Sequence, residues 1–209
     1  NIFTMEAKSS VFNFRRLSTP CPELKKPEGT SNLSEKYLIG SQLGKGTYAT
    51  VRKATHKKSG ILYAVKTYQK VKLLEPHRRR NLNREISILK KLTHGNTIQL
   101  HEVIDETNEI HLILDYAKGV PLYQFIKRKA ARKINESEAR YLFRQIVEGL
   151  GYCHDMDIAH RDIKLENIIV DSDRSVKIID FGFATCFAEK SKMFCGTPSY
   201  MAPEIVNKE

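Results

Sequence analysis

The sequence predicts an α+β fold: a small, mainly antiparallel sheet carrying one helix, followed by a mainly helical part. Short strand-like runs separated by turn residues fill the stretch from Tyr37 to Leu114, one amphipathic helix interrupts them, and a longer helical pattern follows Asn135. Taken in order, Tyr37 to Leu43, Thr50 to Thr55 and Ile61 to Tyr68 read as strands joined by turns. Pro76 to Leu92 places Leu82, Ile86 and Leu89 at i, i+4 and i+7, one face of a helix. Two more strands fall near Ile98 to Val103 and Ile110 to Leu114. Pro121 to Lys129 reads as a short helix. Asn135, with Glu138 three residues on, resembles a capping box. Behind it Leu142, Phe143, Ile146 and Leu150 line one face of a helix that runs to about His154. Ile168 to Val170 and Val176 to Ile179 are short apolar pieces between polar turns. Residues 1–36 keep no period, are punctuated by Pro20, Pro22, Pro27 and Gly29, and read as a flexible extension. No internal repeat is present.

Composition narrows the function classes. Hydrophobic residues make up 41% of the 209, which excludes a largely disordered chain. Lys+Arg 35 against Asp+Glu 24 leaves a formal charge of +11, favouring anionic partners: nucleic acid, an acidic membrane surface or phosphorylated molecules. No apolar run approaches the ~20 residues that span a bilayer. Asn1 to Ser10 lack a basic stretch followed by an apolar one, so secretion is not expected. Cys21, Cys153, Cys186 and Cys195 form no C-x-x-C pair and fit a reducing, cytoplasmic or nuclear setting. A chain that begins at Asn1 rather than Met reads as a fragment.

Four stretches carry chemistry. Leu43-Gly44-Lys45-Gly46-Thr47-Tyr48-Ala49-Thr50-Val51 lies between two expected strands. Its glycines would let a hairpin lie close over phosphates, although an ordinary Gly-containing hairpin has the same composition. In Tyr63-Ala64-Val65-Lys66, strand alternation sets Ala64 and Lys66 on one face, a small residue beside a cation; an isolated strand Lys is otherwise a surface residue. Glu85, on the helix near Leu89, is either turned to the sheet or a local partner for Arg78, Arg79, Arg80, Arg84, Lys90 and Lys91. The fourth stretch decides between these readings. His160-Arg161-Asp162-Ile163-Lys164-Leu165-Glu166-Asn167 precedes Asp180-Phe181-Gly182 by thirteen residues, and Ala202-Pro203-Glu204 closes the segment. Phosphoryl transfer needs a carboxylate at the attacking hydroxyl, oxygen ligands for Mg²⁺ and a cation for the γ-phosphate, and these loops supply all three.

From Tyr37 to Glu209 the ordered set resembles the eukaryotic protein kinase family. Lys164-Leu165-Glu166-Asn167 and Cys195-Gly196-Thr197-Pro198 are similar to its Ser/Thr members, most nearly the calmodulin-dependent and AMP-activated-like group. The resemblance implies a two-lobed fold: an N-lobe over 37–114, and a hinge with a partial C-lobe over 115–209 that ends just after Ala202-Pro203-Glu204. It implies ATP and Mg²⁺ as cofactors and protein Ser/Thr hydroxyls as acceptors. Leu43, Gly44, Gly46 and Val51 would cover the nucleotide, with Ala64 and Ile169 also among its contacts. Lys66 would bind the α/β-phosphates and be held by Glu85. Leu114 would be the gatekeeper, and Asp115 to Ala117 the hinge pairing with adenine. Asp162 would be the catalytic base, Lys164 the γ-phosphate partner, and Asn167 and Asp180 the Mg²⁺ ligands. Leu89, Leu100, His160 and Phe181 match the hydrophobic spine.

Several positions depart from the family pattern. Ala49 stands for the third glycine, and Gly95 for a proline after His94. Met193 stands at the usual phosphothreonine, with Ser191 nearby and Arg161 retained. Pro121 replaces an acidic residue beside the hinge, leaving Glu166 to meet a basic substrate side chain. The family continues into a helical region that supports the catalytic loop, so a chain stopping at Glu209 is expected to be poorly active by itself. A kinase-like scaffold without catalysis is the alternative, and the presence of Lys66, Asp162 and Asp180 argues against it. Nucleic-acid binding through Lys127-Arg128-Lys129, Arg132 and Lys133 lacks aromatic stacking residues and is not expected.

Overall fold

The computed structural model describes residues 32–187 and 195–207. A single helical turn, α1 (Leu33–Lys36), leads into β1 (Tyr37–Lys45), β2 (Ala49–His56) and β3 (Leu62–Gln69); a 3₁₀ turn at Lys70–Leu73 then opens helix α2 (Pro76–Leu89), and β4 (Leu100–Asp105) and β5 (Glu109–Asp115) complete a sheet. The strand order is β1-β2-β3-β5-β4, antiparallel throughout. The expected strands are all present, displaced by one or two residues at their ends. Turn α1 falls within the stretch read as a flexible extension. It is anchored because Lys36 pairs with Glu102, and the Leu33 amide donates to the Glu106 carboxylate at 2.6 Å.

Helix α2 buries Leu82, Ile86 and Leu89, the face that its spacing predicted. It ends at Leu89 rather than Leu92, because the Lys91 and Leu92 amides fold back on the carbonyls of Ile88 and Leu89, three residues behind, tightening the last turn.

Beyond the sheet come β6 (Val120–Pro121), α3 (Leu122–Lys127), α4 (Glu136–Asp155), β7 (Ile158–Ala159), β8 (Ile168–Val170), β9 (Val176–Ile178), β10 (Thr185–Cys186) and α5 (Pro203–Asn207). The fold is therefore two-lobed, a sheet lobe followed by a helical lobe, as the sequence predicted. Helix α3 is shorter than the expected Pro121 to Lys129, since Pro121 belongs to β6 and pairs with Ile169. Asn135 Oδ1 accepts the Glu138 amide at 2.8 Å, half of the expected capping box. The reciprocal half is missing because the Glu138 carboxylate takes Lys129 at 2.9 Å instead.

On α4, Leu142, Ile146 and Cys153 are buried, whereas Phe143 is 65% exposed, which corrects its placement on the core face. A residue directly after Leu142 is rotated ~100° from it, off the buried stripe. Exposed Val147, four residues on, shares Phe143's side of α4, whereas exposed Tyr141 flanks the buried stripe on the other side.

Two packing features position the cleft between the lobes. The main core runs through both, joining Leu82, Ile86 and Leu89 of α2 and Leu112 of β5 to Cys153, Ile178 and Phe181. Gly119, which leads from the hinge to β6, has φ +136 and a backbone so close to β8 that a Cβ would stand 2.2 Å from the Val170 carbonyl oxygen. Only glycine fits there.

Candidate active site

Two clusters of polar side chains face the cleft. The first is built on the sheet lobe. Lys66 Nζ donates to Glu85 Oε1 at 2.8 Å and to Asp180 Oδ1 at 2.9 Å. Glu85, only 3% exposed, therefore turns to the sheet and not to its basic neighbours on α2. Its second oxygen accepts the hydroxyl of Tyr68 at 2.6 Å. Tyr68 lies two residues beyond Lys66 on the same face of β3, and no motif flagged it; strand alternation was the one available signal.

Burial acts to lower the Lys66 pKa, but the Glu85 carboxylate, Tyr68 and Asp180 outweigh it and hold the ammonium well above the ordinary lysine value. Burial likewise acts to raise Asp180, and is outweighed by the Lys66 charge and hydrogen bond, the Gly182 amide and His160, so its carboxyl titrates below the ordinary range. The stability that the Asp180 shift contributes is present above the ordinary carboxylate pKa and lost as pH falls through the lowered value. The Lys66 contribution is intact below the ordinary lysine pKa and lost only as pH rises through the raised one.

The second cluster belongs to the helical lobe. Asp162 is 5% exposed, and its Oδ2 accepts Lys164 Nζ at 2.8 Å and Asn167 Nδ2 at 3.0 Å. Thr197 Oγ1 donates to Asp162 Oδ1 at 2.7 Å and accepts Lys164 Nζ at 2.9 Å. Nothing local in the sequence assigns Thr197 a role; a hydroxyl thirty-five positions from Asp162 becomes informative only when the fold brings the two together.

His160 and Phe181 connect the clusters. Their rings meet edge to face at 4.7 Å, and Phe181 is 1% exposed within the core that also holds Leu89, with Leu100 packed against it. His160 Nε2 lies 3.0 Å from the Ile179 carbonyl, and the Asp162 amide donates to Nδ1 at 3.2 Å. That pattern requires the neutral ring with its proton on Nε2. Burial lowers the His160 pKa, against the opposing pull of the Ile179 carbonyl, Asp180 and Asp162. At pH 6.5, the ordinary histidine value, NMR of the ring nitrogens should find His160 less than half protonated. Half or more in the charged form would contradict this packing. Arg161 (φ +65) and Asp180 (φ +62) both hold left-handed backbone, one in each of the two loops that carry the site, as Arg132, Asp157 and Arg174 do elsewhere among the described residues.

The predicted nucleotide-contact residues are distributed as follows. Ala64 and Leu114 pair across β3 and β5, and Val51 and Ala117 pack on the same core. Ala117 and Ile169 line one small cavity of about 170 Å³. Gly44, near the end of β1, has open space where a Cβ would be, a Cβ on Gly46 in the following turn would stand 3.6 Å from the Ala49 carbonyl oxygen, and Leu43 is 47% exposed beside them.

At the hinge, the Asp115 amide donates to the Gln99 carbonyl at 3.0 Å, so pairing with adenine cannot use that amide. The Asp115 carboxylate accepts Lys177 Nζ at 3.0 Å and lies 2.6 Å from His101 Nε2. Lys177 also donates to the carbonyls of Gly95 and Thr97 and so ties the hinge to β9. Burial acts to raise Asp115, and the His101 and Lys177 contacts lower it below the ordinary value. Met193 and Ser191 lie outside the described residues. A larger apolar groove of about 530 Å³, lined by Leu122, Ile126, Leu142 and Phe143, shares only Lys164 with the two clusters.

A two-lobed fold with one cluster from each lobe meeting at Phe181 defines the class. The chain belongs to the protein kinase domain family, whose match covers residues 37–209. It is 39% identical over 199 residues to NUAK family SNF1-like kinase 1 of Homo sapiens, covering 91% of this chain and 30% of that protein. It is 38% identical over 188 residues to CBL-interacting protein kinase 28 of Oryza sativa subsp. japonica, covering 87% and 42%. To the SNF1-related protein kinase catalytic subunit alpha KIN12 of Arabidopsis thaliana it is 39% identical over 173 residues, covering 82% and 35%. These relatives place it in the calmodulin-dependent and AMP-activated-like group. The chain spans well under half the length of each of them.

Proposed function

We propose that this protein transfers the γ-phosphoryl of Mg-ATP to serine or threonine hydroxyls of protein substrates. The observation that carries the proposal is the seat of Thr197: an aliphatic hydroxyl lies 2.7 Å from the Asp162 carboxylate and 2.9 Å from the Lys164 ammonium. An acceptor hydroxyl in that position has a base on one side and a cation on the other. In the reaction its oxygen attacks the γ-phosphorus, the bond to the β–γ bridging oxygen breaks, and ADP leaves with that electron pair. Asp162 takes the hydroxyl proton and Lys164 faces the charge on the transferring group. Lys66, with two of its three donors on Glu85 and Asp180, keeps the third for a nucleotide phosphate.

Asn167 and Asp180 fit Mg²⁺: both offer oxygen, and one or two protein oxygens completed by substrate phosphates is this ion's usual arrangement. Among the described residues no cluster of three or more His, Cys, Asp or Glu could hold a metal by itself, in keeping with a site that phosphates complete. Bound there, Mg²⁺ neutralises charge on the β- and γ-phosphates. Asn167 Nδ2 donates to the Asp162 backbone carbonyl at 2.9 Å, which leaves its amide oxygen free to face the cleft. In this reading Ala64, Val51, Ala117, Ile169 and Leu43 would contact adenine, with Gly44 and Gly46 above the phosphates. A cytoplasmic setting belongs to the same proposal and is supported by the free thiols of Cys153, Cys186 and Cys195.

The test offers Mg-ATP with peptides that differ only in Ser, Thr or Tyr at the acceptor. Phosphorylation of the Ser and Thr peptides and not of Tyr is expected. Transfer to Tyr alone, or none to any peptide in full-length protein that binds Mg-ATP, would overturn the reading.

A further inference from the structure

Arg78 and Tyr48 make a contact that no step of the reaction uses. Tyr48 lies at the turn between β1 and β2 and is 44% exposed, so its ring fills no core. The Arg78 guanidinium lies over that ring, 4.8 Å from its centroid. Arg78 is fixed from two sides: Glu75 Oε1 holds Nη2 at 2.7 Å, and Nη1 donates to the Lys72 carbonyl at 3.2 Å. With its edge held in this way, the flat face is left for the ring.

Arg78 sits on the first turn of α2, and Glu85 lies seven residues further along the same helix. Seven residues are about two turns, so the two side chains share one side of the helix, ~10 Å apart along its axis. One rigid element thus touches the glycine-rich turn at one level and Lys66 at the next. A movement of α2 that withdraws Glu85 from Lys66 also withdraws Arg78 from Tyr48.

We propose that Arg78 is a positioning residue: by clasping Tyr48 it ties the pose of the glycine-rich turn to the seating of α2. The closed pose of the turn is then favoured when Glu85 holds Lys66. The coupling is reciprocal, so a ligand held under the turn also favours the seated helix. The proposal deepens the nucleotide reading of the cleft and rests on it.

The test measures amide hydrogen exchange at Thr47–Ala49 in nucleotide-free protein, with the denaturation midpoint taken on the same samples. Arg78→Met keeps the stem and removes the cation. It should speed exchange about two- to five-fold, the range for one part-exposed cation–π contact. Tyr48→Leu should do the same, and the double variant should be no faster than either single one. Arg78→Lys, which keeps the charge but not the flat guanidinium face, should restore only part of the protection, and Tyr48→Phe should behave as wild type. In steady-state assays the KM for ATP should rise by a similar factor in Arg78→Met, with kcat moving less. Additive single effects, or unchanged exchange in Arg78→Met or Tyr48→Leu, would overturn the proposal. Wild-type protein that binds no ATP would sink the nucleotide reading instead, because the exchange experiment needs no ligand.

Discussion

Replacing Asp162 with Asn is expected to lower turnover by at least ~10²-fold while leaving nucleotide affinity close to that of the unaltered protein. The two effects separate because the two clusters are separate. Asp162 contacts Lys164, Asn167 and Thr197, all of the helical lobe, and has no bond to Lys66 or to the hinge among the described residues. An Asn side chain keeps the shape and one oxygen for Thr197, so the loop should stay folded. What it loses is the charge facing Lys164 and the ability to take a proton. Turnover is read with a peptide acceptor and affinity by titration with Mg-ATP. A variant that turns over like wild type removes Asp162 from the base role. A variant that loses nucleotide binding to the same degree as turnover shows that the clusters are not independent.

Lys66→Met is expected to abolish nucleotide binding and to cost about 3 kcal/mol of stability, the usual scale for stranding one member of a buried ion pair. The Glu85 side chain is 4% exposed and that of Lys66 12%, so solvent cannot replace the lost partner. Tyr68 would still donate to Glu85 Oε2, which limits the loss without neutralising the carboxylate. Asp180 is half open to solvent and contributes less. The diagnostic is the double variant Lys66→Met with Glu85→Gln. Removing the stranded charge should recover part of the stability and none of the nucleotide binding. Chemical denaturation reads the first and Mg-ATP titration the second. A Lys66→Met protein within ~0.5 kcal/mol of wild type would mean that the pair carries little net stability.

The residues that could be read from sequence share one property: their roles depend on spacing along the chain. Leu82, Ile86 and Leu89 declare a helix face because helical period maps sequence onto direction. Lys66, Glu85, Asp162, Asn167 and Asp180 stand out because residue type and order recur together. The fold does bring Lys66, Glu85 and Asp180 to one point, and Asp162, Lys164 and Asn167 to another.

What sequence did not show depends on contacts between distant segments. Tyr68 becomes Glu85's second partner only because β3 and α2 pack together. Thr197 reaches Asp162, and Lys177 reaches Gly95, Thr97 and Asp115, across separations no local pattern records. Phe143 was misplaced for a different reason. In a helix rich in apolar residues, composition suggests a wide buried face, and only the packing of Leu142 and Ile146 against their neighbours shows how narrow it is. Turn α1 escaped notice because four residues carry no period; its anchors, Glu102 and Glu106, belong to β4 and the turn after it.

The account stands most directly on where the phosphoryl group goes. ATP labelled with ¹⁸O on the γ-phosphoryl, mixed with the protein, Mg²⁺ and a serine peptide, should yield a phosphopeptide whose phosphate carries the label on its three non-bridging oxygens. The bridging oxygen should remain the unlabelled serine oxygen, because the hydroxyl held by Asp162 is the attacking group. Label found only in inorganic phosphate, with the peptide unmodified, would show that water and not a protein hydroxyl is the acceptor, and would contradict the central claim.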